Sequence, residues 1–178
     1  MATHPSARGQ KPAEQAARPE GRNTIVTVYI AGAGGGVATT AWGPDYEATA
    51  GALSIEQALD ATIDMGRVPL LWTYARPDAN YTEVKFGFDE QIGAGKIGHV
   101  ALAAEATISG EIFRDDDGVR WRINNESGAW GNMGGEVGKS EMLRAVAVFM
   151  TAYCGLRVTA DKAYSSNAVK RFIQKQYR

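Results

Sequence analysis

The sequence is poor in the residues that cross-link small proteins through covalent or metal bonds. It has a single cysteine, Cys154, and two histidines, His4 and His99, among 178 residues. One cysteine cannot form an internal disulfide, and one cysteine with two distant histidines supplies no Cys/His cluster for structural zinc. We therefore expect a fold without disulfides or a metal site, as suits the reducing cytoplasm.

Long hydrophobic runs and an excess of one charge are also missing. No stretch approaches the roughly eighteen apolar residues of a membrane span, and the N-terminus has no hydrophobic signal core. We expect no N-terminal export signal and a cytoplasmic location. Nineteen Lys and Arg against twenty Asp and Glu give a net charge of −1, which argues against nucleic-acid binding. A basic patch at Lys170, Arg171 and Lys175 is interpreted as a solvated helix face.

The composition is that of one globular domain preceded by a tail. Residues 1–22 contain almost no large apolar side chain and are predicted to be disordered, whereas residues 23–178 are predicted to form a single domain. Hydrophobic residues make up 44% of the chain. This fraction is enough to bury a core.

Periodicity predicts both strands and helices, without the regular alternation of a parallel doubly wound fold. Strands are expected at residues 24–30, 37–42, 69–74, 82–88 and 156–159 and in a hairpin over 106–123, with helices at 55–65, from 140 or 141 to 153, and from about 166. Polar or Gly-rich loops are expected at 76–80, 93–98 and 128–138. The predicted class is α+β: a mainly antiparallel sheet of about six strands with two or three helices packed on one side.

Two local motifs carry much of this prediction. Ser54 and Gln57 form a capping box, in which each side chain accepts a bond from the other residue's amide, and Gly66 is suited to end the helix. Residues 115–118, Asp-Asp-Asp-Gly, are typical of a tight hairpin turn. The acids lack the spacing and distal glutamate of an EF-hand calcium loop.

Two glycine-rich segments approach nucleotide-binding motifs without completing them. The glycines at 32–36 follow a strand, but Val37 takes the third required position of a dinucleotide fingerprint. The run 134–140 ends in Gly-Lys-Ser, but Met133 stands where a phosphate loop needs its first glycine. We interpret the first segment as a hairpin turn and the second as a loop leading into a helix N-cap.

One stretch of about sixty residues resembles a known module. His99 followed by small residues, a Gly-Glu strand, an Asp-Gly hairpin, a strand ending in Asn-x-Ser-Gly and a leucine-bearing helix are similar to the C-terminal effector or toxin module of bacterial polymorphic toxins. The positions that match are His99, Gly110, Glu111, Asn125, Ser127 and Gly128. The chain departs from the module at Ala129-Trp130, where the family has His-Tyr, and at Ser109, where it has alanine.

The resemblance implies a small effector that acts in the cytoplasm, with a catalytic site at His99, Glu111 and Ser127. Some toxin domains of this kind are mono-ADP-ribosyltransferases, which use NAD and a glutamate that orients the attacking group. In that case Tyr74, Arg76 and Asn125 would bind the cofactor. The acid would be Glu111 or Glu126, which the sequence cannot rank against each other or against Glu105.

The residues also allow a structural interpretation and a different function. His99, Asn125 and Ser127 can serve turns and strand ends by bonding to nearby backbone. The alternative function is a non-catalytic protein-binding module, such as an immunity protein, an adaptor or an assembly subunit. Trp42, Trp121 and Trp130 suit a protein interface because tryptophan is enriched at binding hot spots.

Overall fold

The computed structural model of the chain describes residues 23–31, 36–40, 54–78, 80–92, 95–103, 105–127 and 136–161. These residues form nine strands and three helices. In chain order they are β1 (Thr24–Ala31), β2 (Gly36–Thr40), α1 (Ile55–Asp64), β3 (Leu70–Asp78), β4 (Tyr81–Phe88), β5 (Glu90–Ile92), β6 (Gly95–Ile97), α2 (His99–Leu102), β7 (Ile108–Arg114), β8 (Trp121–Ile123), α3 (Glu136–Tyr153) and β9 (Val158–Ala160). The predicted α+β class is confirmed.

Seven of the described strands form one sheet, in the order β2-β1-β4-β3-β7-β8-β9. Neighbouring strands are antiparallel throughout, except that β8 and β9 are parallel. Strands β5 and β6 form a separate two-stranded hairpin. The sheet is therefore mainly antiparallel, as predicted, with one parallel pair at its β9 edge.

The two faces of the sheet differ in what covers them. We call the face that carries Trp72 the helix face, because it shares one buried core with Leu59 of α1 and with Leu143 and Met150 of α3. The opposite face, which we call the outer face, carries Leu71 and its cross-strand partners Gly87 and Glu111. Side chains alternate between faces along a strand, so each register position has a defined side.

Helix α1 is fixed at its start and along its length. The Ser54–Gln57 capping box is formed, with the Gln57 amide bonded to Ser54 Oγ at 3.1 Å and the Ser54 amide to Gln57 Oε1 at 2.9 Å. On the sheet, Arg114 bridges to the helix by ion pairs with Glu56 at 2.9 Å and Asp60 at 2.6 Å. The Arg114 guanidinium also lies 4.2 Å from the centre of the buried Trp121 ring, a cation–π contact. These contacts hold α1 against the strand pair β7–β8.

Several boundaries differ from the sequence-based prediction. Strand β3 continues to Asp78, through the residues predicted as a turn, and β6 lies within the loop predicted at 93–98. Helix α3 begins at Glu136, so Gly138, Lys139 and Ser140 are helical and do not form the loop and N-cap expected there. The helix thus runs through Gly138, a residue type that helix propensity disfavours and that led to the prediction of a loop.

Several predictions lie outside the described residues. They include the disordered tail at 1–22, the glycine turn at 32–35, the loop segment 128–135 with Trp130, and the helix from about residue 166 with its basic patch. Trp42 lies outside them as well. The DDDG hairpin turn is described and is confirmed: Gly118 has φ +68°, and β7 and β8 pair on either side of it.

Candidate functional site

One asparagine at the end of β8 brings two glutamates together. Asn124 Oδ1 accepts a hydrogen bond from the Glu111 amide at 2.9 Å and another from the Glu126 amide at 3.0 Å. The Asn124 amide in turn donates to the Glu111 carbonyl at 3.1 Å. Because Asn124 is 4% exposed, these bonds form out of water and fix the backbone of both glutamates.

The side chains of these glutamates form a carboxyl pair. The Glu126 carboxyl hydrogen-bonds to the Glu111 carboxyl, and both residues are partly buried. Burial, followed by the neighbouring Glu111 carboxylate and its hydrogen bond, raises the pKa of Glu126 to about 7. Two carboxylates in contact repel each other when both are ionised, so one of them keeps its proton. The pair therefore holds one acid and one base near neutral pH.

A further acid and a guanidinium lie beside the carboxyl pair. Asp161, just after β9, adds to the rise in the pKa of Glu126. Its carboxylate accepts two bonds from Arg122, at 2.7 and 2.8 Å. Arg122 also lies 5.3 Å from the centre of the Phe113 ring, its cross-strand partner on the outer face. Arg122 thus partly offsets the negative charge of Asp161.

The raised pKa of Glu126 implies that the stability of the fold depends on pH. The folded chain keeps the Glu126 proton up to about pH 7, whereas the unfolded chain releases it near the ordinary pKa of 4.5. Over this window the unfolded state binds fewer protons, so the Glu126 contribution to the free energy of unfolding falls as pH rises. We expect Glu126→Gln to flatten the decline, measured by urea unfolding between about pH 5 and pH 8.

The exposed Glu105, which lies outside the pair, provides the matched control. Glu105→Gln removes a carboxylate by the same isosteric change and is expected to keep the wild-type pH dependence. An unchanged pH dependence in Glu126→Gln would show that the pair does not hold a proton in the folded state.

His99 lies on the same face of the sheet as Glu111. Leu102 of α2 packs so closely on the outer face that a Cβ placed on Gly87 would lie 2.7 Å from its Cδ1 atom. His99 Nε2 is 2.8 Å from the carbonyl oxygen of Gly110, the residue before Glu111. A carbonyl has no proton, so Nε2–H is the donor. Burial lowers the pKa of His99, against the opposing effects of the Gly110 carbonyl and Asp89, which favours the neutral ring.

Asn125 and Ser127 flank Glu126 in the segment that follows β8. Asn125 is fully buried and Ser127 is 5% exposed. The backbone of Asn124 and Asn125 lies directly over Gly110. Glu111, Glu126 and His99 are therefore joined through Gly110 and the segment 124–127, and Ser127 is the last described residue of that segment.

A buried hydroxyl lies next to the carboxyl pair on the strand. Ser109 Oγ is fully buried and, among the described residues, has no hydrogen-bond partner. Ser109 is two residues before Glu111 on β7 and so lies on the same face, roughly 7 Å along the strand. A buried hydroxyl without a partner is unusual in a folded protein.

Two of the three residues expected to bind NAD, Tyr74 and Arg76, lie away from the carboxyl pair. Tyr74 is on the helix face, and its ring packs edge-on against Phe149 of α3 at 6.0 Å. Burial raises the pKa of Tyr74. Arg76 is exposed and lies five residues along β3 from Leu71, the cross-strand partner of Glu111. That separation is roughly 17 Å along the strand. Tyr74 and Arg76 therefore do not form one cofactor site with Glu111.

Two further expectations concern metals and membranes. Among the residues that the structure describes, no group of three or more His, Cys, Asp or Glu side chains is placed to hold a metal ion. The described helices include none with the length and apolar character needed to cross a membrane. Trp121 is fully buried in the core, so it does not belong to an exposed protein interface.

No family model matches the chain, and neither the curated proteins nor the solved structures compared with it include a match. Function is therefore inferred from the geometry around Glu111 and Glu126.

Two parts of this site are not evident from the sequence. In the sequence Asn124 stands out only as a polar group at a strand end. Its hydrogen bonds to the two glutamate amides depend on the β7–β8 register, which places it opposite Glu111. Asp161 carries no signal of its own, because its contact with Arg122 joins residues 39 positions apart. The signal available in the sequence is the cluster Asn124, Asn125 and Glu126 directly after a strand.

Proposed function

We propose that the chain is a small effector-like or toxin-like enzyme that uses the Glu111–Glu126 carboxyl pair for acid–base hydrolysis or group transfer. One observation carries the proposal: the two carboxyls are hydrogen-bonded to each other, and the pKa of Glu126 is raised to about 7. A carboxylic acid beside a carboxylate can donate one proton and accept another in the same reaction, and a pKa near the working pH is the most effective value for this task.

The chain's own residues supply the roles that such a reaction needs. Glu126, protonated near neutral pH, is the proton donor, and Glu111 is the carboxylate that accepts a proton or stabilises developing positive charge. Asn124 fixes both amides, so the carboxyls start from a rigid backbone. A proton donor beside a carboxylate suits a substrate whose leaving or attacking group is a hydroxyl.

The resemblance to toxin modules suggests ADP-ribosyl transfer from NAD as one such reaction. The positions of Tyr74 and Arg76 give this version no support, because Tyr74 is covered by α3 on the opposite face. The proposal is therefore the acid–base reaction at the carboxyl pair, and NAD is one substrate to be tested. The alternative function is a non-catalytic protein-binding module.

The first experiment is induction of the full chain in a bacterial cytosol. We expect growth arrest with the wild type and with Glu105→Gln, and normal growth with Glu111→Gln and with Glu126→Gln, provided that thermal melting shows all four to be folded. Removing a general acid or base typically slows a reaction by about 100-fold or more, so each pair variant is expected to lose at least that much activity. Arrest that persists in both folded pair variants would contradict the catalytic proposal.

A second measurement separates the possible outcomes. Purified wild-type chain is incubated with NAD, and release of nicotinamide is compared with that of Glu111→Gln. Release that depends on Glu111 would identify NAD as a substrate, whereas arrest without release would direct the search to other hydroxyl-bearing substrates. A wild-type chain that leaves growth unaffected would overturn the effector proposal and favour the protein-binding module, to be tested by pull-down.

A further inference from the structure

The side-chain amide of Asn124 contacts the carboxyl pair through its nitrogen as well as through its oxygen. Oδ1 accepts from the backbone amides of Glu111 and Glu126 at 2.9 and 3.0 Å. A backbone N–H can only donate, so the atom that meets both of them must be the oxygen. The other end of the amide is therefore the nitrogen Nδ2, and it donates to Oε2 of the Glu111 carboxyl at 3.4 Å.

This donor treats the two glutamates differently. A hydrogen bond to a carboxylate stabilises its charge. Asn124 contacts Glu126 through the backbone amide, whereas it contacts Glu111 through the carboxyl as well. The distance of 3.4 Å is longer than the usual range of about 2.7–3.2 Å. However, two shorter bonds hold the plane of the amide, and partial burial of the site weakens screening by water.

A preference for charge on one member of a hydrogen-bonded pair is a preference for the proton on the other. We propose that Asn124 is a positioning residue, whose Nδ2 donor keeps the negative charge on Glu111 and thereby leaves the proton of the pair on Glu126. In the proposed acid–base reaction, on which this assignment of roles rests, Asn124 directs which glutamate donates the proton.

The other ionisable groups around the pair act in the same direction or add no charge. Burial is the largest cause of the raised pKa of Glu126, and Asp161 is the smallest. Arg122 bonds to Asp161 at 2.7 Å and reduces its repulsion of Glu126. Burial lowers the pKa of His99, which keeps the ring neutral near pH 7. Asn124 adds a bond that distinguishes one carboxyl from the other.

Carboxyl-carbon NMR of the full chain tests the proposal. The chain is labelled with ¹³C at the glutamate carboxyls and titrated between about pH 4 and pH 9. The signals of Glu111 and Glu126 are assigned by their loss in Glu111→Gln and Glu126→Gln. In the wild type we expect the Glu126 signal to show most of its change in a step near pH 7. The Glu111 signal is expected to show most of its change in a step at lower pH.

Asn124→Asp reverses the polarity at one atom of the site. An aspartate oxygen can still accept from both backbone amides, but the atom that meets the Glu111 carboxyl changes from a donor to a charged acceptor. We expect the proton to move, so that the Glu111 signal shows most of its change in the step at the highest pH. Asn80→Asp, at an exposed position between β3 and β4, adds the same charge and is expected to titrate like the wild type.

Two results of the titration would overturn the proposal. One is an Asn124→Asp variant in which the step at the highest pH stays with Glu126, and the other is a wild-type step near pH 7 that belongs to Glu111. If Asn124→Asp does not fold, the wild type provides the decisive measurement. The side-chain NH₂ signals of Asn124 are expected to shift with the same midpoint as the Glu111 carboxyl signal. NH₂ signals that follow Glu126, or that do not titrate, would also overturn the proposal.

The titration requires no turnover, so the position of the proton and the proposed function can fail separately. A wild-type chain that leaves growth unaffected, with carboxyl signals as expected, would remove the acid–base reaction and keep Asn124 as the residue that places the proton. Growth arrest with the step near pH 7 at Glu111 would keep the carboxyl pair as the reacting groups and would overturn the role of Asn124.

Discussion

Gly110→Ala is expected to lower the free energy of unfolding by about 3 kcal/mol or more. A Cβ on Gly110 would lie 1.8 Å from the carbonyl oxygen of Asn124 and 2.9 Å from the Cα of Asn125. Both contacts are with backbone, which cannot move aside by rotating a side chain. The segment over β7 must shift, and the bonds that Asn124 makes to Glu111 and Glu126 are lost with it.

Gly118→Ala is the matched control on the same hairpin. Gly118 has φ +68°, and no other part of the described chain comes within 4 Å of the position that a Cβ would take, so alanine there meets backbone strain but no clash. Its expected cost is about 1 kcal/mol. Urea unfolding of the two variants measures the difference, and equal stabilities would show that the segment 124–125 does not rest on Gly110.

Trp72→Ala is expected to cost about 4 kcal/mol of unfolding free energy. Trp72 is fully buried in the middle of the sheet, opposite Phe86 on β4 and Gly110 on β7. Its Nε1 donates to the Glu111 carbonyl at 3.0 Å, so the indole extends over β7. Alanine would leave a cavity in the core and would remove the hydrogen bond to the Glu111 carbonyl.

Trp72→Phe separates packing from hydrogen bonding at the same position. Phenylalanine keeps a ring in the core but loses the bond to Glu111, and the expected cost is about 1 to 2 kcal/mol. The two variants are compared by urea unfolding followed by circular dichroism. A Trp72→Ala variant as stable as Trp72→Phe would mean that the indole contributes little packing energy.

The fold was predictable where a signal is local. The Ser54 capping box and the Asp-Gly turn before β8 each depend on residues within four positions, and both form as predicted. The start of α3 was predicted too late: the helix begins at Glu136, before Gly138. The glycines at 134, 135 and 138 locally disfavour a helix, so the sequence pattern placed its start after them.

The candidate site was predictable in composition and not in arrangement. The sequence named Glu111 and Glu126 as candidate acids, but their contact depends on Asn124 and on the backbone crossing Gly110. The face of the sheet on which Tyr74 lies follows from the position of β3 in the sheet. Tyr74 is two residues from Trp72 on β3, so both lie on the helix face. Strand register is a long-range property, which a single sequence does not supply.

The parallel pairing of β8 and β9 has a consequence for how the chain folds. The hairpins β3–β4 and β7–β8 join neighbours in sequence, whereas β9 reaches β8 only after the long excursion through α3. Closing that excursion costs more chain entropy, so β9 is expected to join the sheet late and to open first in native-state fluctuations. Opening would carry Asp161 away from Arg122 and from Glu126. Opening of β9 would therefore lower the pKa of Glu126 slightly, because Asp161 is the smallest of the contributions that raise it.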